Sequence, residues 1–428
     1  MSLLLRRLAG DVSAPLRRSL ATAASRPPWA MVYKRPAPDA SIARASLDLN
    51  EAPCVSQLSL PAHLADPAAA GSVRAASCDG LLLLDFADTR EFPPAVRKLC
   101  HSSLLHMMAA AGAAAEPGVA RFVCNPLSGQ MFRLPVPDMD AAKGSTPFGL
   151  LTQSSSEGPH GPPDRFVVAQ LSCREGDNRR VVRRFLSDAG EWDEPQLFVP
   201  STRPAWRAMQ IDTNHEVLAF GDRLWWVDVS WGACSVDPFS DTPEHHFVEL
   251  PRGSVLPEMA DVAGPPVLGR HRRMGFSQGK LRFVEVSTKK EPFLISSFSL
   301  DDEACSWTLQ HEMTINISLP EESEPVEDHM PWIAAIDPFS ANVLYIKYGR
   351  IVLAVDMAKV KVIGSCSFPD SITHLSMHNS SLLVPCVLPT WLQSNNIPGA
   401  GALSSKTNNC TRKTLADMLV RVDKDRKN

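Results

Sequence analysis

The sequence predicts an all-β chain folded as a β-propeller-like domain, with six blades as the favoured count and five to seven open. Three observations predict it. From about residue 40 onward, short apolar runs alternate with Gly, Pro, Asp and Asn, the pattern of many short strands joined by turns. A turn carrying Gly or Asn repeatedly introduces a hydrophobic strand, as in DGLLLLDF (79–86), GDRLWWVDV (221–229), GKLRFVEV (279–286) and ANVLYIKYG (341–349). A second element closes each unit: MFRLP (131–135), QLFVP (196–200), HFVELP (246–251), SWTLQ (306–310) and GSCSFP (364–369). With Leu134, Leu197, Val248, Trp307 and Ser365 as markers, the spacings are 63, 51, 59 and 58 residues. Propeller blades repeat on this scale, the kelch blade at about 50 residues. One such four-stranded sheet cannot bury both faces alone, so neighbours must stack around an axis.

The chain divides into three parts. Residues 1–30 carry Arg6, Arg7, Arg17, Arg18 and Arg26 against the single acid Asp11, among Ser, Ala and Leu. That is the composition of an organellar transit peptide. Leu3, Leu4, Leu5, Leu8 and Val12 would share one face of a cationic amphipathic helix. The expected address is the mitochondrion, with chloroplast and cytoplasm as alternatives. Residues 31–400 form the propeller. Within it, Pro93-Pro94 precedes AVRKLCHSSLLHMMAAAGAAA, an alanine-rich helical insertion in the first blade. The runs SITHLSM and SLLVPCVLP (371–389) need outer partners, and SIARASLDL (41–49) can supply them, closing a sixth blade with both ends of the chain. Residues 401–428 are a tail in which Thr414 and Asp417 cap a short amphipathic helix through Leu415, Met418, Leu419 and Val422.

Composition narrows the function classes. Hydrophobic residues are 44% and charged residues 21% of the 428, which excludes global disorder. A net charge of −4 argues against a protein built on phosphate contacts to nucleic acid. No apolar stretch reaches the roughly 18 residues of a membrane helix. The ten cysteines contain no CxxC pair, so a zinc knuckle is excluded. Buried free thiols are expected, not a disulfide framework.

Candidate chemical motifs dissolve on inspection. Gly275-Phe276-Ser277-Gln278-Gly279 matches G-x-S-x-G, but a nucleophile elbow needs a helix next and KLRFVEV is a strand. His245 and His246 occupy adjacent strand positions that point to opposite faces, so they cannot share a metal; a solvated strand start is expected. Cys100, His101 and His106 lie on the helical insertion without sharing a face. The acidic runs at 301–303 and 321–324 lack the central glycine of a calcium loop. No catalytic, cofactor-binding or metal-ligating residue is nominated, and no cofactor is expected. In 221–258, strand alternation sets Trp225 and Val227 against Trp226 and Asp228, as aromatics wedged between blades. A binding surface is expected from Trp231 in the following turn, beside Asp237 and Asp241, because loops carry function.

The segment LWWVDVSWGACSVDPFSD followed by FVELPRGSVLPE resembles a plant, chiefly grass, domain-of-unknown-function family, number 1618. The runs RRMGFSQGKLRFVEV, PFLISSFSLDDEACSWTL, PWIAAIDPFSANVLYI and IVLAVDMAKVKVIGS are similar to it as well. The resemblance spans most of residues 30–400. It implies an all-β, propeller-like body similar to F-box-associated domains, and it brings no catalytic residues with it. LSLPAHL (58–64) is similar to an F-box start, but the helical leucine pattern that should follow is absent. The expected function is a monomeric, non-enzymatic scaffold that binds a protein or peptide. The alternatives are an enzyme with a composite site in the propeller channel, whose residues would come from separate blades, or a substrate adaptor of the F-box-associated type.

Overall fold

In a computed structural model of the chain, the repeat becomes six sheets of four or five strands. The structure describes residues 2–4, 28–62, 69–88, 119–137, 142–143, 146–154, 161–174, 180–199, 215–257, 268–287, 292–301, 306–317, 330–368, 382–394 and 396–399. The predicted helical insertion, the acidic run at 321–324 and the tail from 401 lie outside these residues.

Blade 1 runs outward through β6 (Ala69–Ala76), β7 (Leu82–Asp88), β8 (Val119–Cys124) and β9 (Met131–Arg133). Blade 2 holds β11 (Gly149–Gln153), β12 (Arg165–Arg174), β13 (Arg180–Leu186) and β14 (Glu191–Asp193), with β10 (Ala142–Lys143) on the far end of β12. Blade 3 is β15 (His215–Phe220), β16 (Arg223–Asp228), β17 (Gly232–Val236) and β18 (His246–Glu249). A one-turn helix, α1 (Leu268–His271), leads into blade 4: β19 (Arg272–Ser277), β20 (Lys280–Val286), β21 (Phe293–Asp301) and β22 (Ser306–Asn316). Blade 5 is β23 (Trp332–Ile336), β24 (Val343–Tyr348), β25 (Ile351–Asp356) and β26 (Lys361–Ser367).

The sixth sheet closes the ring with both ends of the domain. β27 (Leu383–Val387) pairs antiparallel with β2 (Trp29–Tyr33), and β2 pairs parallel with β5 (Val55–Pro61). β3 (Ala37–Asp39) and β4 (Ser46–Asp48) complete its outer edge. Residues 41–49 therefore do join this blade. The direct partner of β27, however, is β2, which takes in Trp29 and Ala30 from the leader segment. The innermost strands adjoin in the order β27, β6, β11, β15, β19, β23 and back to β27.

Blade packing follows from the alternation. Trp226 is fully buried with Leu151 and Val167 of blade 2, whereas Trp225 enters a core with Met274 and Phe283 of blade 4. Two outer-strand tryptophans tie back by about one blade length: Trp192 Nε1 donates to Pro135 O at 2.8 Å, and Trp307 Nε1 to Glu249 O at 2.7 Å. The closing elements of the repeat mostly fall in the outermost strands β9, β18, β22 and β26.

Three expectations are corrected. Cys54, ahead of β5, is bonded to Cys366 on β26, with Cα atoms 5.2 Å apart, so a disulfide joins blade 5 to blade 6. Cys78, Cys124, Cys234 and Cys386 are free thiols, the last three buried. Burial raises the thiols of Cys124 and Cys386 to about 12, which keeps them protonated and inert. Leu3 and Leu4 lie not on a helix but in β1 (Ser2–Leu4), which pairs parallel with the edge strand β22. A long edge leaves backbone groups that another strand can satisfy. His245 is not solvated; it is buried beneath the start of β18 while His246 is exposed.

Candidate functional site

The three residues expected at a binding surface do not converge. In blade 3, His215, Asp228, Gly232 and Glu249 lie in register, which places the Trp231 turn at the end where β15 begins. Asp237 follows Val236, whose register partners Leu224 and Ala219 lie at the other end of the blade. Trp231 packs on Phe247 with ring centroids 4.3 Å apart. Asp237 Oδ1 accepts the Phe239 N–H at 2.9 Å and so shapes its own turn. Asp241 is exposed, and its Oδ1 lies 3.6 Å from Arg184 Nη2. Arg184 is buried and holds Asp193 through two bonds while donating to Pro238 O and Ser240 O at 2.8 and 2.6 Å. The 237–241 turn is thereby fastened to blade 2.

The G-x-S-x-G segment is a hairpin. Ser277 ends β19 fully buried, and Gln278 and Gly279, at φ of 50° and 70°, make the two-residue turn into β20. A backbone of that hand at both central positions suits an antiparallel hairpin and gives no exposed nucleophile.

Charge gathers instead on the propeller axis, at the end where the inner strands begin. Lys34 follows β2; its N–H donates to Leu382 O at 2.9 Å and its carbonyl accepts the Val73 N–H at 2.6 Å, so its backbone is pinned between blades 6 and 1. Its Nζ lies 3.5 Å from Glu216 Oε1 on β15. Arg273 Nη2 lies 3.4 Å from the same oxygen and donates to Leu383 O at 2.7 Å, while its Nη1 donates to Ala334 O. Arg74 on β6 also lines the cavity, with its Nε 2.9 Å from Asp85 Oδ2. Asp85 Oδ1 in turn lies 3.3 Å from Arg121 Nε. Burial pushes the Lys34 ammonium below its ordinary value; Glu216 opposes that push, and Arg273 and Arg74 add to it.

Further along the axis the lining turns apolar through Ala76, Leu218 and Phe276, and Phe276 stacks on Phe220 at 6.2 Å. The axial cavity measures about 50 Å³. A larger, open groove of about 370 Å³ runs between blades 6 and 1, lined by Arg44, Pro61, Gln130, Met131 and Asn396 among others. There Gln130 Oε1 accepts the Ile397 N–H at 2.7 Å. Among the described residues, no three or more His, Cys, Asp or Glu side chains gather as a metal site. Among the same residues, no helix is long and apolar enough to cross a membrane.

None of the four charged residues lining the axial cavity is marked by a local motif. Each comes from a different blade. The signal available was a charge near the start of an otherwise apolar inner strand, as in HEVLAF (215–220) and RRMGFS (272–277).

Sheet order and axial channel define the chain as a β-propeller. A family of proteins of unknown function, DUF1618, matches residues 226–345, from β16 into β24. No curated protein matches the chain. Among solved structures, a prolyl endopeptidase is similar at 14% identity and a TM-score of 0.28, over 68% of this chain and 33% of that one. This chain thus spans about a third of that enzyme's length. The α-L-arabinofuranosidase Arb93A of Fusarium graminearum is similar at 8% identity and a TM-score of 0.31, covering 84% of this chain and 86% of its own. The β-propeller domain of Cps50 (Swd1) from Myceliophthora thermophila is similar at 9% identity and a TM-score of 0.27, over 80% and 90% of the two chains.

Proposed function

We propose that this propeller is a non-enzymatic binding module for a protein or peptide partner. The observation that carries the reading is the size of the axial cavity. At about 50 Å³ it is far below the roughly 300–1,000 Å³ of sites that enclose a small-molecule substrate. The roomier groove beside Gln130 is open, which suits a chain segment laid along the surface. Proximity labelling followed by pull-down with the full chain tests the reading. A captured protein that rebinds the purified propeller saturably supports it; the absence of any reproducible, saturable partner overturns it.

A second reading is favoured by one observation, the meeting of Lys34, Arg74, Glu216 and Arg273 from separate blades. Such convergence is how a composite enzyme site would be built. Turnover of a substrate that is abolished in Glu216→Gln would favour this reading over the first. Residues 1–30 are proposed as the mitochondrial address. Fusion of residues 1–40 to a fluorescent reporter tests it, and a diffuse cytosolic signal with the leader intact overturns it.

A further inference from the structure

We propose that the charged end of the axial channel binds one compact oxyanion, a carboxylate or phosphate group, held by Lys34 and Arg74, with the charge of Arg273 beside them. The proposal deepens the binding-module reading, and rests on it only for the expectation that the oxyanion is carried by a partner.

The charge balance points to it. Among the described residues, the cavity lining carries three cations, Lys34, Arg74 and Arg273, against one carboxylate, Glu216. Asp85 does not cancel the excess, because Arg74 and Arg121 share it. Among the described residues, the lining is therefore net positive, in a chain whose overall net charge is −4. A local excess of the opposite sign to the whole molecule is a focused field, not a reflection of a basic surface.

The distances agree. Charge-assisted N–H···O bonds close at about 2.7–2.9 Å. Lys34 and Arg273 stand 3.5 and 3.4 Å from one Glu216 oxygen, both longer than that range. Arg74 commits its Nε to Asp85, and its Nη atoms have no hydrogen-bond or ion-pair partner among the described residues. About a quarter of the surface of the Lys34 and Arg74 side chains, 24% and 25%, remains accessible. The groups are deep yet reachable.

Size selects the ligand. A cavity needs roughly 10–15 Å³ for each water it holds, so 50 Å³ has room for about three or four. That is the bulk of one carboxylate or phosphate group. A whole nucleotide does not fit, so only the terminal anionic group of anything larger enters. Burial already disfavours the Lys34 ammonium, and an arriving anion would relieve that cost.

The test uses the full chain at low ionic strength. Thermal melting and calorimetric titration are run with inorganic phosphate, with acetate, and with chloride as the ionic-strength control. Saturable stabilisation by phosphate or acetate beyond chloride is expected, and the stronger of the two identifies the source as phosphate or carboxylate. Arg74→Gln is expected to weaken binding at least tenfold. Glu216→Gln is expected to strengthen it several-fold, because it removes the competing carboxylate; a merely structural perturbation would not move affinity in that direction. Lys34→Gln, with a folded circular dichroism spectrum, provides an independent loss. Binding no better than chloride, or equal affinity in all variants, overturns the proposal. If a partner binds the Arg74→Gln chain as tightly as the original, the expectation that the partner carries the oxyanion fails while the module reading stands. If the chain binds phosphate but captures no partner, the oxyanion site stands and the module reading fails.

Discussion

Arg273 and Leu383 lie 110 residues apart and are joined by a 2.7 Å hydrogen bond from Nη2 to the Leu383 carbonyl. The same guanidinium reaches Glu216 on blade 3 and the Ala334 carbonyl on blade 5. One side chain on blade 4 thus ties together the starts of three other inner strands. Its planar fork is suited to several acceptors at once, which a lysine could not reproduce. Arg273→Met should therefore destabilise the fold by about 3–5 kcal/mol, the range for removing one member of a buried, hydrogen-bonded ion pair. Denaturant unfolding measures it, and a loss under about 1 kcal/mol would show that the axis is held by the strands alone.

Trp226 tests the seam between blades 2 and 3. It is fully buried, and its Nε1 donates to Pro147 O at 2.9 Å. Trp226→Ala removes both that bond and the aromatic filling, at an expected cost of about 3–5 kcal/mol. Trp226→Phe keeps most of the volume and should recover more than half of the loss. Equal losses in the two variants would contradict the packing account.

The fold was legible in the sequence where its cause is local. The turn-led runs at 79–86, 221–229, 279–286 and 341–349 supply β7, β16, β20 and β24, each the second strand of its blade. They stand out because Gly80, Gly221, Gly279 and a turn at 341–342 precede fully buried apolar residues. The split of Trp225 and Trp226 follows from period-two alternation alone. What escaped was non-local. Nothing within either neighbourhood joins Cys54 to Cys366, 312 residues away. Lys34 follows β2, Glu216 and Arg273 are second in their strands and Arg74 lies inside β6, so no local pattern links the four until the ring brings them to one axis. The pairing of β27 with β2 was hidden by a different effect: Trp29 and Ala30 adjoin an arginine-rich leader and share its label by proximity. The repeated tetrapeptide DPFS, at 237–240 and 337–340, was the missed cue to Asp237. In both copies the aspartate Oδ1 accepts the phenylalanine N–H, at 2.9 and 2.8 Å, which marks it as a turn former.

The Cys54–Cys366 bond predicts a redox-dependent stability. It closes a loop spanning 312 positions, and the chain-entropy account gives a stabilisation on the order of 5 kcal/mol for so long a loop. Dithiothreitol and Cys366→Ser should each lower the melting temperature, and the reductant should do nothing further to the variant. Iodoacetamide applied to the native protein should leave Cys124 and Cys386 unmodified. An unchanged melting temperature on reduction would show that the strands clamp blades 5 and 6 without the bond.

Tyr345 predicts the alkaline limb of the stability curve. Its hydroxyl donates to Asp337 Oδ2 at 3.1 Å, and its ring meets Trp29 edge-on at 5.4 Å. Burial, with the Asp337 carboxylate adding to it, raises the phenol well above its ordinary value of 10.0. In the unfolded chain the phenol ionises near 10, whereas in the fold it stays protonated to higher pH. Above pH 10 the folded state therefore holds the extra proton, and the contribution of Tyr345 is complete below that pH and lost as pH rises through it. Comparing the chain with Tyr345→Phe isolates this one group, because Tyr33 and Tyr348 are common to both. The advantage of the original chain should be constant from pH 7 to 9 and then shrink, with a limiting slope of about 1.4 kcal/mol per pH unit. Urea midpoints at intervals between pH 7 and 11.5 would measure it. A gap that stays level across pH 10 would mean that the buried phenol ionises as readily as an exposed one.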